Sequence, residues 1–268
     1  MRDTARPLAL GYATRGVFNL ALEGMLWTRR TLMMGVLLCL PVAFAVLYRV
    51  VLVAQMPPAL TPLDLYGTIV VSFYLAKLLP LTALFYATAL VADEVEGKTI
   101  TYLLTRPIPR SAILAGKFAS YLATTLALTL PSIVITFFLL VTARGLEGIG
   151  ASVPDLFRDL GVVALGLLAY GALFALFGVL LRRPMIPALL FAFGWELMHL
   201  LPGYLPRLTL IAYLQSLVNH RPAEEGLFGL FLQTQPAALS LAALLGASAV
   251  FLAAAVWIFS RREYVLDQ

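Results

Sequence analysis

The chain has 268 residues, 61% of them hydrophobic and only 12% charged, with a net charge of +5 and a mean hydropathy of +0.92. A soluble domain carries about 45–50% apolar and about 25% charged residues, so this composition excludes one and indicates an all-α polytopic membrane protein. The one cysteine, Cys39, lies in an apolar run, which leaves no disulfide framework and no cysteine-ligated metal site.

The first element, residues 13–30, places Phe18, Leu22, Met25 and Leu26 on one face at helical spacing. Arg15, Glu23, Arg29 and Arg30 fall largely elsewhere, the pattern of an amphipathic helix lying along a membrane surface. The first apolar run begins at Thr31, behind Arg2, Arg6, Arg15, Arg29 and Arg30, and is long enough to remain as an anchor rather than a cleaved signal. About 20 apolar residues cross a bilayer as a helix. On that measure spans are expected at about 31–54, 66–92, 118–143, 160–181, 184–201 and 237–259, six in all, within a single domain over 1–268. Between the last two spans, Leu208–Leu217 is apolar but too short to cross, so it is expected to re-enter or lie at the interface.

Six spans put both termini on one side. That side carries thirteen lysines and arginines in the N-terminal segment, the 93–117 loop, the 182–183 turn and the C-terminal tail. The opposite side carries four, Arg144, Arg158, Arg207 and Arg221. The positive-inside rule then places both termini and the 93–117 loop in the cytoplasm. The basic charge is thereby explained by membrane orientation and does not point to nucleic acid.

The 93–117 loop contains Glu96-Gly97-Lys98-Thr99, which looks like the end of a phosphate-binding loop. Such a loop needs a further glycine five residues before Gly97 and a preceding strand, whereas here Ala92 ends a span and Asp93, Glu94 and Glu96 would repel phosphate. The segment suits docking instead. Gly97 permits a sharp break, and Thr99–Leu104 can form a short helix presenting Ile100, Leu103 and Leu104 together. Pro107 and Pro109 stop it. Ser111 is expected to cap the next helix, which continues through Lys117 into the third span.

At these residues the chain resembles the type-2 ABC-transporter permeases, in the branch that includes the permease of nitrous oxide reductase maturation. EVEGKTITYLLTRPIPRSAILAGK is similar to that family's motif at Glu94, Glu96, Gly97, Thr99, Leu103, Leu104, Thr105, Arg106, Pro107, Arg110 and Lys117. The elbow helix, the six spans, the insertion between spans five and six and the terminal FSRREYV follow the family plan. The resemblance implies a permease subunit of an ATP-driven exporter in the cytoplasmic (inner) membrane. It implies a second permease copy, as homodimer or paralogue, and room for accessory extracytoplasmic proteins. It also implies a separate ATPase subunit, holding ATP and Mg, docked on the coupling helix of Thr99–Arg110. No cofactor is expected in this chain.

Charges inside spans are costly, about 2.5–3.5 kcal/mol at mid-bilayer, and invite functional readings. Arg49 lies about 28 Å along the helix from Arg30, at the outer boundary, where it can snorkel. Lys77 lies about 24 Å from Asp93 and Glu196 about 20 Å from Arg183, so their depths agree. They are expected either to form a buried ion pair, or to leave the lysine snorkelling outward, or to serve in cargo binding or coupling along the translocation path. Glu196 and His199 also have the E-x-x-H spacing of di-metal bundles, but a second such pair is missing, so no metal centre is expected. Phe137, Phe138, Phe174 and Phe177 are expected to pack or to face lipid. Small residues at Ala242, Gly246, Ala249 and Ala253, and at Gly171 and Ala175, suggest close helix contacts.

An intramembrane enzyme would need a nucleophile elbow, a zinc-binding helix motif or a pair of intramembrane aspartates, none of which is found in the expected spans. A stand-alone secondary transporter or channel, the alternative reading, would need matched repeats with broken helices. Pro41, Pro80 and Pro131 supply kinks, but the halves do not match.

Overall fold

The computed structural model describes residues 10–26, 28–53, 61–96, 109–144, 149–181, 183–200, 204–220 and 235–261. All regular structure among them is helical. The reason is that hydrocarbon offers a backbone amide no partner except another part of the chain.

Helix α1 (Leu10–Leu26) leads through a bend at Thr28 into α2 (Arg29–Val53). A long broken rod follows, made of α3 (Pro62–Ile69), a π-helical segment Val70–Leu78, α4 (Leu79–Ala87) and α5 (Ala89–Glu96). Then come α6 (Arg110–Val141), α7 (Ile149–Leu180), α8 (Met185–Phe193), α9 (Leu210–Leu217) and α10 (Ala237–Arg261). Five stretches are long and apolar enough to cross a membrane: Arg29–Leu52, Pro62–Ala92, Arg110–Val141, Ile149–Leu180 and Ala237–Arg261. The chain is therefore a multi-pass membrane protein. Where a fifth span was expected at 184–201, the apolar helix is shorter, Met185–Met198. Its α-helical part gives way at Gly194 to a 3₁₀ helix, Trp195–Leu200.

Helix α7 is the centre of the packing. Its most apolar window is 72% buried, against 17% for α2 and for α10, which lie at the periphery. It packs against α4, α6 and α10, while α1 and α2 pack against α6. Both α6 and α7 begin earlier than hydropathy indicates, at Arg110 and Ile149, because their polar first turns remain helical beyond the apolar window. Ser111 does not cap α6. The capping position is Pro109, with no side-chain cap, and its fixed φ of −59° suits the entry to the helix.

Helix α1 lies along α6. A Cβ on Gly116 would come within 2.8 Å of the Thr14 carbonyl, and the Ser120 hydroxyl donates to the Phe18 carbonyl at 2.8 Å. Val17 is buried and Phe18, Leu22 and Met25 are half-buried, whereas Leu26 is exposed. The neighbouring helix thus rotates the covered face toward Val17.

The π-helical segment precedes Pro80, which cannot donate a backbone hydrogen bond. The wider i→i+5 bonding persists to Leu79, whose amide donates to the Tyr74 carbonyl. From within the segment, the Tyr74 hydroxyl meets Ser132 at 2.6 Å and Thr136 at 3.1 Å, and Ser132 donates to the Leu38 carbonyl at 2.7 Å. One short polar chain thereby ties three spans.

The two small-residue faces differ. On α7, Gly171 receives the Tyr121 side chain, whose hydroxyl lies 2.6 Å from where a Cβ would be and donates to the Leu167 carbonyl at 2.8 Å. Ala175 is fully buried beside it. On α10, Ala242, Gly246, Ala249 and Ala253 all point outward, and the packed face is Ser240, Leu244, Ser248, Ala255 and Phe259. Of the aromatics, Phe137 and Phe174 are buried, Phe177 is partly buried and Phe138 is exposed.

The contrast sets a test. Gly171→Ala forces the Tyr121 ring aside and is expected to cost about 1–3 kcal/mol, as overpacking does. Gly246→Ala meets nothing within 4 Å and is expected to be neutral or mildly stabilising. Thermal unfolding of the two purified variants in detergent measures the difference.

Candidate functional site

Three polar features stand out on this apolar frame. The first surrounds Glu196. The 3₁₀ helix Trp195–Leu200 turns its carboxylate inward, to 4% exposure, against the start of α9. There it accepts from the Leu210 amide at 3.3 Å and the Ile211 amide at 3.1 Å. Thr209 occupies the capping position of α9 without a side-chain cap, so Glu196 supplies the cap from another element. A carboxylate at a helix N-terminus satisfies orphan donors and meets the positive end of the helix dipole. The Tyr170 hydroxyl of α7 couples electrostatically to the same carboxylate, although it falls outside strict hydrogen-bond geometry. Helix α9 is the segment expected to re-enter; it packs back on α7 and α10, burying Ile211, Leu214 and Leu217.

The second feature is Lys77, and the structure does not bring it to Glu196. Lys77 is exposed on the outer surface of the π-helical segment, while Glu196 is buried among the amides of α9. Equal depth along two helices says nothing about direction around them, and the π-helical segment shifts the face on which Lys77 emerges. The expected ion pair is therefore replaced by a capped carboxylate and an outward-facing ammonium. Arg49 takes a structural role, donating to the Leu139 carbonyl at 3.4 Å and to Thr142 at 3.0 Å.

The third feature was not singled out from the sequence. Asp159, near the start of α7, is 1% exposed. One carboxylate oxygen accepts from Tyr66 at 3.0 Å and lies 2.9 Å from His220 Nε2, while Oδ1 has no partner among the described residues. The Tyr66 and His220 rings meet edge to face with centroids 5.3 Å apart. Gly67 admits the histidine, since a Cβ there would lie 2.7 Å from His220 Cβ. Around this core Arg158 donates to the Leu217 carbonyl and to Asn219, and Asn219 donates to Asp155 at 2.7 Å. These contacts clamp the segment after α9 onto the starts of α3 and α7. The available signal was the pair Asp155 and Asp159, one turn apart at the edge of an apolar run.

The docking residues Gly97, Thr99, Ile100, Leu103, Leu104, Thr105, Arg106 and Pro107 lie outside the described residues, as do the side chains of Glu94, Glu96 and His199. The flanks of the loop are described. Arg110 donates to the Ser260 carbonyl at 3.3 Å, and the buried Lys117 ammonium donates to the Leu90 carbonyl at 2.8 Å. Among the described residues no cluster of metal-ligating side chains occurs.

Burial works against the His220 imidazolium, and so does Arg158. The hydrogen bond and charge of Asp159, with the charge of Asp155, outweigh both, so His220 titrates above its ordinary value. A histidine raised in the folded state adds stability that is fully present below its unfolded pKa of about 6.5 and is lost as pH rises through the higher folded value. The melting temperature is accordingly expected to fall as pH is raised from 6.5, and His220→Gln to flatten that dependence, as read by melting curves across pH. Glu196→Leu, which strands the amides of Leu210 and Ile211, is expected to cost about 1–3 kcal/mol. Adding Lys77→Met should give no rescue, because the two residues do not interact.

A comparison with known proteins gives one family assignment. No curated protein matches the chain. A family model described as "protein of unknown function (DUF2705)" matches residues 31–265, which takes in every span and all three polar features. The chain belongs to this DUF2705 family.

Proposed function

We propose that the chain is the permease subunit of an ATP-driven ABC transporter, an exporter that moves its cargo with energy from a separate ATPase subunit. The observation that carries this reading is the segment EVEGKTITYLLTRPIPR, which joins the end of α5 to the start of α6 between two membrane-spanning rods. In this reading Met185–Met198 with the following turn completes a sixth span, α1 is the elbow helix, and the basic loops set both termini in the cytoplasm. Residues Thr99–Arg110 form the coupling helix on which the ATPase docks, and a second permease copy faces the first.

The flanks of the loop support a mechanical role. Lys117 ties the base of α6 to the last turns of the preceding rod through the Leu90 carbonyl. Arg110 ties it to the end of α10 through the Ser260 carbonyl. A push on the loop therefore reaches three spans. Helix α1, held against α6 by Gly116 and Ser120, moves with them.

Co-purification with a candidate ABC ATPase subunit, sought among the neighbouring genes, tests the reading. Leu103→Asp with Leu104→Asp is expected to abolish the complex, since unpaired charges in a packed contact cost several kcal/mol. The isolated chain is expected to show no ATP binding that Lys98→Ala removes. Recovery of the complex at normal yield from the double variant would place docking elsewhere.

A further inference from the structure

Lys77 stands at the midpoint of the 31-residue stretch Pro62–Ala92. From there the four-carbon stem of lysine does not reach either membrane boundary. It is also exposed, so neighbouring spans do not shield it. Between Asp64 and Asp93 the sequence has no acid, and the two buried carboxylates of the other apolar stretches, Asp159 and Glu196, are engaged by Tyr66 and His220 and by the amides of α9. Both carboxylates are buried, so neither is presented on the surface that carries Lys77.

The positions that share this face form a pattern. Asp64, Thr68, Ser72 and Lys77 follow one another at four, four and five residues. Four is the stacking interval of an α-helix, and five that of the π-helical segment that holds Ser72 and Lys77. Asp64, Ser72 and Lys77 are exposed and Thr68 is half-buried. The face is thus polar from the Asp64 end to the midpoint. Beyond Lys77 it turns apolar, with Leu81, Phe85 and Ala89 partly exposed. Thr68 and Ser72 also edge a groove against α2, lined by Leu47, Tyr48, Val51 and Leu65.

We infer that Lys77 is the anion-binding point of the cargo path, and that the cargo carries an anionic group on an apolar or aromatic body. The inference rests on the permease reading and names its substrate class. The ammonium supplies the charge, and the π-helical segment turns it onto the polar stripe. The half-exposed Phe73 and Ala76 beside it favour an apolar body over a hydrated inorganic ion, which would surrender its water for a single ammonium. The stripe is the aqueous half of the path, open at the Asp64 end, which is the outer end in the proposed orientation.

The test uses the full chain in phosphatidylcholine nanodiscs, with the one cysteine removed as Cys39→Ser and Ser72→Cys as reporter. Anionic sulfonatoethyl and cationic trimethylammonioethyl methanethiosulfonates are reacted separately, and initial labelling rates are read by mass spectrometry. The anionic-to-cationic rate ratio is expected to fall about tenfold in Lys77→Gln, the lower range of local charge effects in clefts, and to be retained in Lys77→Arg. 2-Naphthalenesulfonate is expected to protect the reporter when Lys77 is present and to lose that effect in Lys77→Gln, while a naphthyl trimethylammonium does not protect. A ratio unchanged by Lys77→Gln, a reporter that neither reagent reaches, or protection indifferent to charge overturns the inference. These measurements need no ATPase. A chain that recruits no ATPase defeats the permease reading, whereas charge-blind labelling defeats this one.

Discussion

Inside hydrocarbon a polar group has only the chain itself to bond with, and that constraint governs where most buried hydroxyls of the described helices go. Thr82, Thr88, Thr125, Thr129, Thr136 and Ser248 each donate back to the carbonyl four residues earlier. That arrangement lets polar residues occupy apolar helices without needing a neighbour. A smaller set bridges helices: Tyr74 to Ser132 and Thr136, Tyr86 to Thr31 at 2.8 Å, and Tyr121 to the Leu167 carbonyl. Such interhelical bonds average about 0.6 kcal/mol in membranes, so they set register more than they supply stability. Close packing around α7 carries the rest. Among the described residues the buried side-chain atoms without a hydrogen bond are Thr124 Oγ1, Asp159 Oδ1 and Tyr170 Oη, and the latter two belong to the polar clusters on α7.

Those clusters give the molecule different ends. At one end α9 is held at both termini, at its start by Glu196 of the preceding 3₁₀ helix and after its end by the His220–Asp159 contact, while its buried face packs on α7. A short helix caught at both termini cannot slide independently of the span beneath it. At the other end Lys117 and Arg110 bind the base of α6 to its neighbours through backbone carbonyls, partners that no side-chain change can remove. Between the two ends lies the π-helical segment, the one place in the long rod where the α-helical bonding pattern is relaxed.

Hydropathy makes the spans legible because burial in lipid demands long apolar runs. It locates all five long helices to within a turn or two at most ends, with the polar starts of α6 and α7 as the larger misses. Direction around a helix is far less legible. The small residues of α10 look like a packing face and point outward, because Leu244 and Phe259, on another side, fill the contact with α7 and α9 better. Lys77 and Glu196 share a depth and not a direction, since a π-helical segment leaves no periodic mark in an apolar sequence. Glu196 as a cap was hidden for a different reason. Its partners are amides fourteen and fifteen residues away, which no spacing rule links to it. Asp159 was hidden because a helix continuing past the apolar window carried it inside. The motif from Glu94 to Arg110 was the most readable feature of the sequence, yet its side-chain arrangement falls largely outside the described residues.

The two charges expected inside apolar runs, Lys77 and Glu196, are handled in opposite ways. For Glu196, folding supplies the compensation: two amides and a helix dipole converge on it, so the charge belongs to the architecture of the 195–217 segment. Lys77 receives nothing comparable. It sits on a surface, on a stripe of small polar residues that begins at Asp64, with no acid between Asp64 and Asp93. A lysine with no structural purpose could become leucine at that position and make insertion easier. Its cost is carried by a fold that gains no packing from it, and in the proposed path the offsetting counter-charge arrives with the cargo.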